Sequence, residues 1–556
     1  MTKMIITAAP PNPNGDLHIG HLSGPFLGAD VMARYLRSRG HDVVHVGYID
    51  EHSCYVPRRA KELGHPTRAV AHYLGSQIEQ TLAAANMSPD FCGRPHRDAW
   101  HDETVQDFFT QLRDKGALTV RTLPVLRCPQ EGTYLYEAEI RGTCHFCGAP
   151  SDGFYCEECG RPQTSGQLRD GRCTSCGSVP VADAHERIVF PLEEYRSALT
   201  EHYRDRPVRP RLRRYLDMML AEPLPDTPIS RIGDYGVAVP LPGWEGHYLD
   251  TWFSGIWGYV AGTSGAQRVA GQGPGVSGWY SPDTQVHEFI GFDCSFSHAL
   301  LWPAMCAALG VNLPTSVVTN EFYRLEGGKF STSRWHAVWG ADILSEVPAD
   351  SLRFYLCLTG PEQEQTNFVR AQFRQVVQEV LVDGLDGLVD RAARRLAAAG
   401  DDGTPSGAAG TPSGDDGTPS GDVAATALTG LADGLSRRVG SCLEPEGFSP
   451  AAAAEQIRAF SVDQADEVAA AIEEAGVPEL RRFVTTVAAT IEPIMPGWAF
   501  DLLTDLGQAP TTVPALRLRP GVSSGASSGV GSGRRDLAGG PLPRRDLYVP
   551  GPGNDV

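Results

Sequence analysis

Apolar residues along the first 50 positions follow two different periods. A short apolar run at 4–9 predicts a strand, and a breaker-rich loop follows at 10–15. Between 22 and 39 the apolar residues recur at helical spacing, and Gly40 is a suitable stop for such a helix. Another β-rich run occupies 42–50. Strand, helix and strand within about 45 residues predict a βαβ unit, the start of a doubly wound parallel sheet.

Two changes, one in amino-acid composition and one in the spacing of apolar residues, divide the rest of the chain. From 119 to 192 cysteine, glycine and turn residues dominate, and after Asp350 the apolar spacing is mainly helical. We therefore predict an α/β fold, a Rossmann-type doubly wound parallel sheet with an inserted zinc-knuckle domain, followed by an α-helical bundle. Repeats of Asp-Asp-Gly-Thr-Pro-Ser-Gly predict a low-complexity linker, and a Gly-, Ser- and Pro-rich end predicts a flexible tail. The predicted boundaries are 1–118 and 229–345 for the two halves of the sheet domain, 119–228 for the insertion, 346–400 and 422–510 for the helical part, 401–421 for the linker and 511–556 for the tail.

Composition and charge exclude several classes of protein. The 556 residues carry a formal net charge of −19, and 41% of them are hydrophobic. No run of eighteen apolar residues is present, and residues 1–9 lack the apolar core of a signal peptide, so we expect a cytoplasmic protein with no membrane partner. The acidic balance argues against a general nucleic-acid coating protein, and we expect no DNA partner. Only four of the basic residues are lysines, so a lysine is a rare choice in this chain.

Cysteine spacing indicates metal binding. Thirteen cysteines in a chain of cytoplasmic character favour metal sites over disulfides. Two Cys-x-x-Cys turns, each followed by glycine (Gly148 and Gly160), form knuckles that together complete a closed tetrahedral zinc site. The predicted ligands of this structural Zn²⁺ are Cys144, Cys147, Cys156 and Cys159. The candidate ligands of a weaker second site are Cys128, Cys173, Cys176 and Glu131. The alternative is a set of free thiols in a reduced domain.

The loop after the first strand has the features of a phosphate site. It lies where a parallel strand ends and a helix begins, and exposed N–H groups and the helix dipole favour phosphate there. His18 and His21 are three residues apart with Gly20 between them, so their imidazoles could lie side by side over a triphosphate. Taken alone, a pair of histidines at this spacing is more often a chance occurrence on the protein surface with no function.

The motifs in this loop and beyond it resemble those of class I aminoacyl-tRNA synthetases. His18-Ile19-Gly20-His21 matches the His-Ile-Gly-His signature, and Gly328-Lys329-Phe330-Ser331-Thr332-Ser333-Arg334 resembles the mobile Lys-Met-Ser-Lys-Ser loop. Over about 4–368 the chain is similar to the methionyl-tRNA synthetase family in particular. The segments that carry this similarity are the zinc knuckles, Ile229-Ser230-Arg231, Asp250-Thr251-Trp252-Phe253, Phe289-Ile290-Gly291-Phe292-Asp293, the run from His298 to Met305, and the run from Ala349 to Tyr355.

The resemblance implies an ATP-dependent ligase. An amino-acid carboxylate would attack the α-phosphate of Mg²⁺·ATP, and catalysis would consist mostly of positioning and charge stabilisation. By resemblance the catalytic residues are His18, His21 and Lys329. The ATP-binding residues would be these three together with Gly291, Asp293, Ser331 and Thr332. The amino-acid-binding residues would be Pro10, Asn12, Asp50, Trp252, Tyr259, His298 and Trp302. The structural alternatives are that Trp252, Tyr259 and Trp302 are core aromatics and that Asp50 is a strand-end carboxylate facing water.

The chain departs from the family pattern around the active site. Thr332 replaces the second lysine of the mobile loop, and Arg334 is a candidate substitute. Ala9-Pro10-Pro11-Asn12 replaces Ala-Leu-Pro-Tyr, and Ser297 stands where a bulky aromatic is usual, which together indicate a more polar pocket. Asn320-Glu321-Phe322 replaces a His-Gly-aromatic run. Changes of this kind could alter the preferred amino acid.

Three hypotheses for function remain. The first is a ligase that activates methionine or a related amino acid and charges tRNA in protein biosynthesis, acting as a monomer. The second is a tRNA-independent paralogue that passes the activated amino acid to a small-molecule nucleophile in specialised metabolism. The departures from the family pattern support this hypothesis for the acceptor step, which stays open between tRNA and a small nucleophile. One more departure is that the helical part lacks the Ala-Pro-Trp segment whose indole stacks on the anticodon; its only tryptophan is Trp498, near the end of the last predicted helix. The third is a non-catalytic scaffold that binds nucleotide or RNA.

Overall fold

The computed structural model of the chain describes residues 3–87, 89–273, 275–329, 338–400 and 420–507. Two compact units are present, Met1–Ser345 with Thr359–Phe368, and Glu346–Leu358 with Val369–Val556. The predicted tail lies outside the described residues. So does the predicted linker, except for its last two positions, with which a helix begins. No helix in the described ranges is long and apolar enough to span a bilayer.

All strands belong to the first unit. They are β1 (Lys3–Ala8), β2 (Asp42–Tyr48), β3 (Phe91–Gly93), β4 (Thr119–Arg127), β5 (Tyr134–Leu135), β6 (Ile140–Thr143), β7 (Pro150–Asp152), β8 (Arg169–Cys173), β9 (Val181–Pro191), β10 (Asp226–Pro228), β11 (Ser230–Ile232), β12 (His247–Leu249), β13 (Thr284–Gly291), β14 (Ser316–Asn320), β15 (Tyr323–Leu325), β16 (Gly328–Lys329) and β17 (Thr366–Phe368), as far as the chain is described.

Helices occur in both units. Those that begin in the first unit are α1 (Ile19–His21), α2 (Leu27–Ser38), α3 (Tyr55–Leu63), α4 (Thr67–Ala84), α5 (Trp100–Asp114), α6 (Arg196–Tyr203), α7 (Pro210–Ala221), α8 (Thr251–Val269), α9 (Trp302–Leu309) and α10 (Gly340–Glu346). Those of the second unit are α11 (Ala349–Leu358), α12 (Arg370–Val376), α13 (Gly387–Gly400), α14 (Ser420–Leu443), α15 (Pro450–Arg458), α16 (Ala465–Glu474), α17 (Val477–Ile491) and α18 (Pro496–Asp505).

A five-stranded parallel sheet forms the core of the first unit, in the order β14-β13-β1-β2-β3. The predicted βαβ unit is β1, α2 and β2, and the predicted doubly wound α/β fold is confirmed. From β1 the chain continues to β2 on one side, whereas β13 lies on the other side. The carboxyl ends of β1 and β13 therefore border the crevice where open α/β sheets bind ligands.

The predicted helix over 22–39 is interrupted near its start. Leu22–Phe26 is a π-helical segment that contains Pro25, and Gly24 has the non-helical angles φ −99° and ψ −120°. A Cβ on Gly24 would lie 2.6 Å from Nδ2 of Asn320, so the absence of a side chain lets this segment pack against the end of β14. A regular helix begins only at Leu27.

The cysteine-rich insertion forms two small antiparallel sheets. One has the order β10-β9-β4-β5, and the other has the order β7-β6-β8. The long pair β4 and β9 connects the insertion to the parallel-sheet core, because β9 continues into the buried run Val189–Leu192. The knuckles lie in the turns around β6, β7 and β8.

The second unit is helical, but Trp498 lies elsewhere than predicted. A new helix begins at Pro496, so Trp498 is in the first turn of α18 and not near the end of the last helix. Its indole N–H donates to Asp386 at 2.7 Å, and the ring is buried. The fully buried Arg353 donates to the carbonyl oxygens of Pro493 and Ile494 just before α18. These contacts bind the start of α18 to the core of the unit.

One carboxyl is buried in the middle of the parallel sheet. Glu288 on β13 is 0% exposed, and neither of its carboxylate oxygens has a hydrogen-bond partner in the described part of the chain. Burial raises the pKa of this carboxyl well above its usual value. Its contribution to stability is thus greatest at low pH and is lost as the pH rises.

Replacing Glu288 with glutamine is expected to stabilise the ligand-free fold at pH 8, with an increase in Tm of about 2–6 °C and a smaller increase at pH 5. At pH 8 the carboxyl is charged in the unfolded chain, and folding must either bury that charge or take up a proton; the glutamine avoids this cost, which grows with pH. Calorimetry at the two pH values measures the effect, with the exposed Glu194→Gln as the control. A lower Tm for Glu288→Gln at pH 8 would contradict the reasoning.

Candidate active site

Two imidazole rings lie at the start of the first helix after β1. His18 caps the short helix α1, and His21 is its last residue. The backbone N–H of His21 donates to Nδ1 of His18 at 3.3 Å, and the backbone N–H of His18 donates to Nδ1 of His21 at 3.2 Å. The rings stack with their centroids 3.7 Å apart and an angle of 13° between planes. The pair lies side by side, as the spacing predicts.

These hydrogen bonds determine where the imidazole protons are. Because each Nδ1 accepts a backbone N–H, each neutral ring carries its proton on Nε2. Desolvation lowers the pKa of His18 far below its usual value, and His21 lowers it further. Desolvation by the surrounding protein atoms also lowers the pKa of His21 to about 4. At pH 7 the pair is therefore neutral and has two parallel Nε2–H donors.

The chain returns to this pair after the predicted mobile loop. Lys329 pairs through its backbone with Arg324 in the β15–β16 hairpin. Ser331, Thr332 and Arg334 lie outside the described residues. Where the description resumes, Val338 accepts the N–H of Ile19 at 3.0 Å, and Gly340 donates to Leu17 at 2.7 Å. The segment that follows the loop is thus hydrogen-bonded to the backbone on both sides of His18.

Asp50 lies just beyond the end of β2 and is 6% exposed, so it is not a carboxylate facing water. Its two oxygens accept the hydroxyls of Tyr48 (3.2 Å) and Thr251 (2.9 Å). Desolvation raises the pKa of Asp50 to about 6, although both hydroxyls lower it. A buried carboxylate that accepts two neutral donors and, among the described residues, is hydrogen-bonded to no cation has the chemistry to bind an ammonium group.

The loop after β1 connects Asp50 with the end of β13. The N–H of Ala9 donates to Phe289 at 2.8 Å, and the N–H of Asp50 donates to Pro11 at 3.0 Å. Pro10 and Asn12, both half-buried, lie on this loop between the two strand ends.

At the end of β13 a Cβ on Gly291 would collide with Oδ1 of Asp293. Glycine therefore allows this carboxylate to lie over the strand end, where the two predicted adenosine residues come together.

Three of the predicted amino-acid-binding residues come together in the buried core of the first unit. The Tyr259 hydroxyl lies 2.9 Å from Nε2 of His298, and the Tyr259 ring centroid lies 5.3 Å from that of Trp302. Trp302 also packs against Trp257 and Trp279 and is 0% exposed. Trp302 is thus a core aromatic in this structure, whereas Tyr259 and His298 form a buried polar pair.

Ser297 orients the imidazole of His298. Its hydroxyl lies 2.9 Å from Nδ1 of His298 and donates to the Cys294 carbonyl, which lies 3.3 Å from the same Nδ1. With the proton on Nδ1, Nε2 of His298 accepts the hydroxyl of Tyr259. Desolvation lowers the pKa of His298 to about 4, so this chain of contacts is neutral. Ser297 is itself fully buried, which makes it a support for His298.

Trp252 lies apart from this group and leads to a residue that sequence analysis missed. Its indole N–H donates to Oε1 of Glu137 at 2.9 Å, and the Cys54 thiol lies 3.2 Å from Oε2. Desolvation, followed by the nearby Asp250, raises the pKa of Glu137 to about 8. Glu137 belongs to the insertion, more than 80 residues from Cys54 and more than 110 from Trp252, so spacing carries no signal for this contact.

The four predicted zinc ligands form one cluster. Their sulfur atoms lie within 4.8 Å of one another, with 3.9 Å from Cys144 to Cys159 and 3.5 Å from Cys147 to Cys156. Tetrahedral Zn²⁺ with bonds of about 2.3 Å requires sulfur atoms about 3.8 Å apart, so the cluster fits this ion. Gly148 and Gly160 adopt positive φ, as the predicted sharp turns require. Zinc held by four thiolates would stabilise the insertion without an open position for chemistry.

Cys144→Ser is expected to lower the zinc content of the purified chain by about one ion and to lower its Tm, because three thiolates bind Zn²⁺ much more weakly than four. Metal analysis and calorimetry measure the two effects. Cys442→Ser, outside both cysteine clusters, should change neither quantity by much. Zinc content in Cys144→Ser equal to that of the wild type would refute the assignment.

The second cysteine group has three members close together. Cys128, Cys173 and Cys176 form a cluster, and Sγ of Cys128 lies 3.4 Å from that of Cys176. The carboxylate of Glu131 instead accepts Nζ of Lys61 at 2.7 Å, so the structure does not support Glu131 as the fourth ligand. The hydroxyl of Ser178 lies 3.4 Å from Sγ of Cys128 and 3.1 Å from Sγ of Cys176.

Comparison with known proteins identifies the family. The model of the family "tRNA synthetases class I (M)" matches residues 4–393. The chain belongs to this family. The match extends from β1 into α13 and so includes the histidine pair, Asp50 and both cysteine clusters.

Individual relatives agree with the family. The chain is 35% identical over 395 residues to the methionine--tRNA ligase of Methanopyrus kandleri, which covers 70% of this chain and 59% of that protein. It is 32% identical over 408 residues to the methionine--tRNA ligase of Pyrococcus furiosus, covering 70% and 56%. The chain thus spans less than two thirds of the length of these curated relatives.

A solved structure has the same fold. The methionyl-tRNA synthetase of Mycobacterium tuberculosis, in complex with methionyl-adenylate, superposes with a TM-score of 0.70 at 22% identity. The superposition covers 92% of this chain and 95% of that one. It confirms the fold of the chain across both units.

Proposed function

We propose that this class I synthetase chain is an ATP-dependent ligase that converts an amino acid into its aminoacyl-adenylate. The observation that carries the proposal is the neutral, stacked pair of His18 and His21 at the carboxyl edge of the parallel sheet. Asp50 follows the adjacent strand at the same edge. Donors for phosphate and an acceptor for an ammonium group thus lie at the same edge of the sheet. A non-catalytic scaffold, the third hypothesis, would not require both groups there.

In the proposed reaction Mg²⁺·ATP and the amino acid are the substrates. Asp50 binds the ammonium group, and the amino-acid carboxylate attacks the α-phosphorus. The bond from that phosphorus to the bridging oxygen breaks, and pyrophosphate leaves with the electron pair. The Nε2–H groups of His18 and His21 donate to phosphate oxygens as negative charge develops on them. No proton transfer is needed, so two neutral donors suffice.

Lys329 completes the proposed site. Nine peptide links join it to Val338, which is hydrogen-bonded to the residue after His18. A chain of this length spans at most roughly 30 Å, so the backbone of Lys329 lies within that distance of Val338. We propose that the Lys329 ammonium neutralises the departing pyrophosphate and that Gly291 and Asp293 bind adenosine.

The amino-acid substrate we propose is methionine or a close relative. The names of the relatives support methionine. The neutral contacts from Ser297 through His298 to Tyr259 support an uncharged substrate side chain. A hydrophobic pocket discriminates by only about 1–3 kcal/mol per methylene, so the panel of amino acids has to be tested broadly.

For the acyl acceptor, tRNA is the first candidate because the relatives are named as tRNA ligases. A small nucleophile is the second candidate, and a specific observation favours it. Trp498 is the only tryptophan after Trp339, and it is buried with its N–H bonded to Asp386, so it is not available to stack on a base.

ATP–pyrophosphate exchange with each of the twenty amino acids, followed by charging of total tRNA, tests the proposal. Exchange with at least one amino acid supports adenylate formation, and acid-stable transfer to tRNA supports the first acceptor. Exchange without charging supports the small-nucleophile paralogue. Absence of exchange with every amino acid, in folded protein with a full zinc content, would refute the proposal as stated.

A further inference from the structure

A third group of metal-type ligands lies near Asp50 and contains no cysteine. It consists of His52, in the turn after β2, and of His101 and Asp102, in the first turn of α5; we call it the His52 cluster. One donor atom from each residue lies within 4.8 Å of the others. His52 is 4% exposed and His101 is 2% exposed. None of these residues has a part in the reaction described above.

The donor distances suit a small divalent ion. Nδ1 of His101 lies 3.0 Å from Oδ1 of Asp102, and Nδ1 of His52 lies 3.9 Å from the same oxygen. Tetrahedral ligands with bonds of about 2.0–2.1 Å lie about 3.3–3.4 Å apart, a value between these two distances. Both distances thus lie within about 0.6 Å of this value, and the third separation, between the two imidazole donors, is below 4.8 Å.

A buried nitrogen without a partner points to a missing ligand. Nδ1 of His52 is buried, and it has no hydrogen-bond partner among the residues that the structure describes. Leaving such a group unpaired in the interior costs about 1–3 kcal/mol, so native structures rarely do so. A cation bound to this nitrogen, with Nδ1 of His101 and Oδ1 of Asp102 as its other ligands, would satisfy a lone pair that protein hydrogen bonds do not reach.

The surroundings leave the cluster available for a cation. Glu51, the residue before His52, is paired with Arg94 at 2.6 Å through Oε1, and its Oε2 accepts the backbone N–H of His96 at 2.9 Å, so both of its oxygens are already engaged. The His96 ring centroid lies 5.1 Å from that of His52, and its Nδ1 is also buried without a hydrogen-bond partner. Asp102 is half-buried, which gives an ion a route of entry from solvent.

We propose that His52, His101 and Asp102 bind a divalent transition-metal ion of the Zn²⁺ class. Two imidazoles and one carboxylate are a ligand set that zinc accepts, and three protein ligands leave a fourth position open. The ring of His101 stacks on that of Tyr48 (centroids 5.3 Å apart, planes at 2°), and the Tyr48 hydroxyl donates to Asp50. The side chain of Tyr48 would thus contact both a ligand of the ion and the carboxylate proposed to bind the substrate ammonium. The metal site does not depend on the proposed ligase activity.

Cobalt substitution of the full chain, without a polyhistidine tag, tests this site. Co²⁺ bound to thiolates gives intense sulfur-to-metal charge transfer, whereas Co²⁺ bound to nitrogen and oxygen gives only weak d–d bands. The wild type should bind one more Co²⁺ than His101→Asn does, and this additional ion should add no charge-transfer intensity. The unchanged thiolate band of the variant shows that the chain has folded.

Two further variants make the result decisive. His287→Asn is a matched control, since His287 is buried with an unpartnered Nε2 but lies outside the cluster, and it should retain the additional ion. If His101→Asn does not fold, Asp102→Ala takes its place as the test variant, because it changes only a half-buried position. Asp102→Ala should lower the Zn²⁺ affinity of this site at least tenfold. Equal metal content and affinity in the wild type and Asp102→Ala would overturn the proposal.

Discussion

His18→Ala is expected to lower the rate of ATP–pyrophosphate exchange by about 10²–10³-fold, with a much smaller change in the KM for ATP. The substitution removes an Nε2–H donor that is held in place before the reaction, and loss of one such donor typically costs this factor. The backbone hydrogen bond that orients His21 does not use the His18 side chain, so the fold should survive. Steady-state exchange kinetics at saturating amino acid measure the effect.

The double variant gives a stricter test of the same pair. The rings stack, and Nδ1 of His18 accepts the N–H of His21, so the loss of His18 also loosens His21. His18→Ala combined with His21→Ala should therefore lose less than the product of the two single effects. The exposed His72→Ala serves as the control and should retain the wild-type rate. A His18→Ala variant with the full rate of exchange would remove the pair from catalysis.

Asp50→Asn is expected to raise the KM for the amino acid about 10²-fold while the KM for ATP changes little. The amide keeps the size of the side chain, and its oxygen can still accept one of the hydroxyls of Tyr48 and Thr251 while its NH2 group donates to the other, but it cannot neutralise a buried ammonium. Breaking a buried charge pair typically costs about 2–5 kcal/mol. Exchange kinetics with each substrate varied separately distinguish the two KM values. An equal rise in both would indicate damage to the fold rather than loss of the ammonium site.

The pH dependence of the wild type follows from the same carboxyl. With the pKa of Asp50 raised to about 6, the charged form that binds ammonium is present above that pH. The value of kcat/KM for the amino acid should therefore fall as the pH drops through 6, and Asp50→Asn should lose this step. A step that persists in Asp50→Asn would assign the titration to another group.

Raising the pH should lower the contribution of Asp50 to folding stability, although it favours amino-acid binding. A carboxyl whose folded pKa is raised from 3.8 to about 6 contributes stability that is complete below pH 4 and lost as the pH rises through 6. Asp50→Asn should therefore stabilise the ligand-free chain at pH 7 by on the order of 1–3 kcal/mol, even though it weakens amino-acid binding. Calorimetry without substrates measures this effect, and the exposed Asp217→Asn provides the comparison.

The local elements of the fold were predictable because their signals lie in adjacent residues. The periods of β1, α2 and β2 appear directly in the order of apolar positions. The ends of these elements were less predictable. The strand β2 ends at Tyr48 and not at 50, because the N–H of Asp50 bonds to Pro11 in the loop after β1. The irregular segment around Gly24 depends on Asn320, almost 300 residues away.

The residues of the candidate site divide in the same way. His18, His21 and the cysteine pairs were found because short spacing suffices to bring their side chains together. The polar contacts that surround the site were not predicted from the sequence. Glu137 reaches Trp252 from the insertion, and His101 reaches the turn after β2 from α5, so neither contact has a local pattern. Trp498 was placed near the end of a long helix because the apolar period continues across Pro496, where the chain starts a new helix.

The amino-acid sequence by itself determined the α/β class, the zinc knuckles, the histidine pair and the family, because each depends on spacing within a few residues or on the order of motifs. Only the tertiary structure decided the protonation of the histidines, the raised pKa of Asp50, the burial of Trp498 and the presence of the His52 cluster. These properties depend on which groups exclude water from a side chain and which donors reach it. Both are determined by residues distant along the chain, and packing alone brings them together.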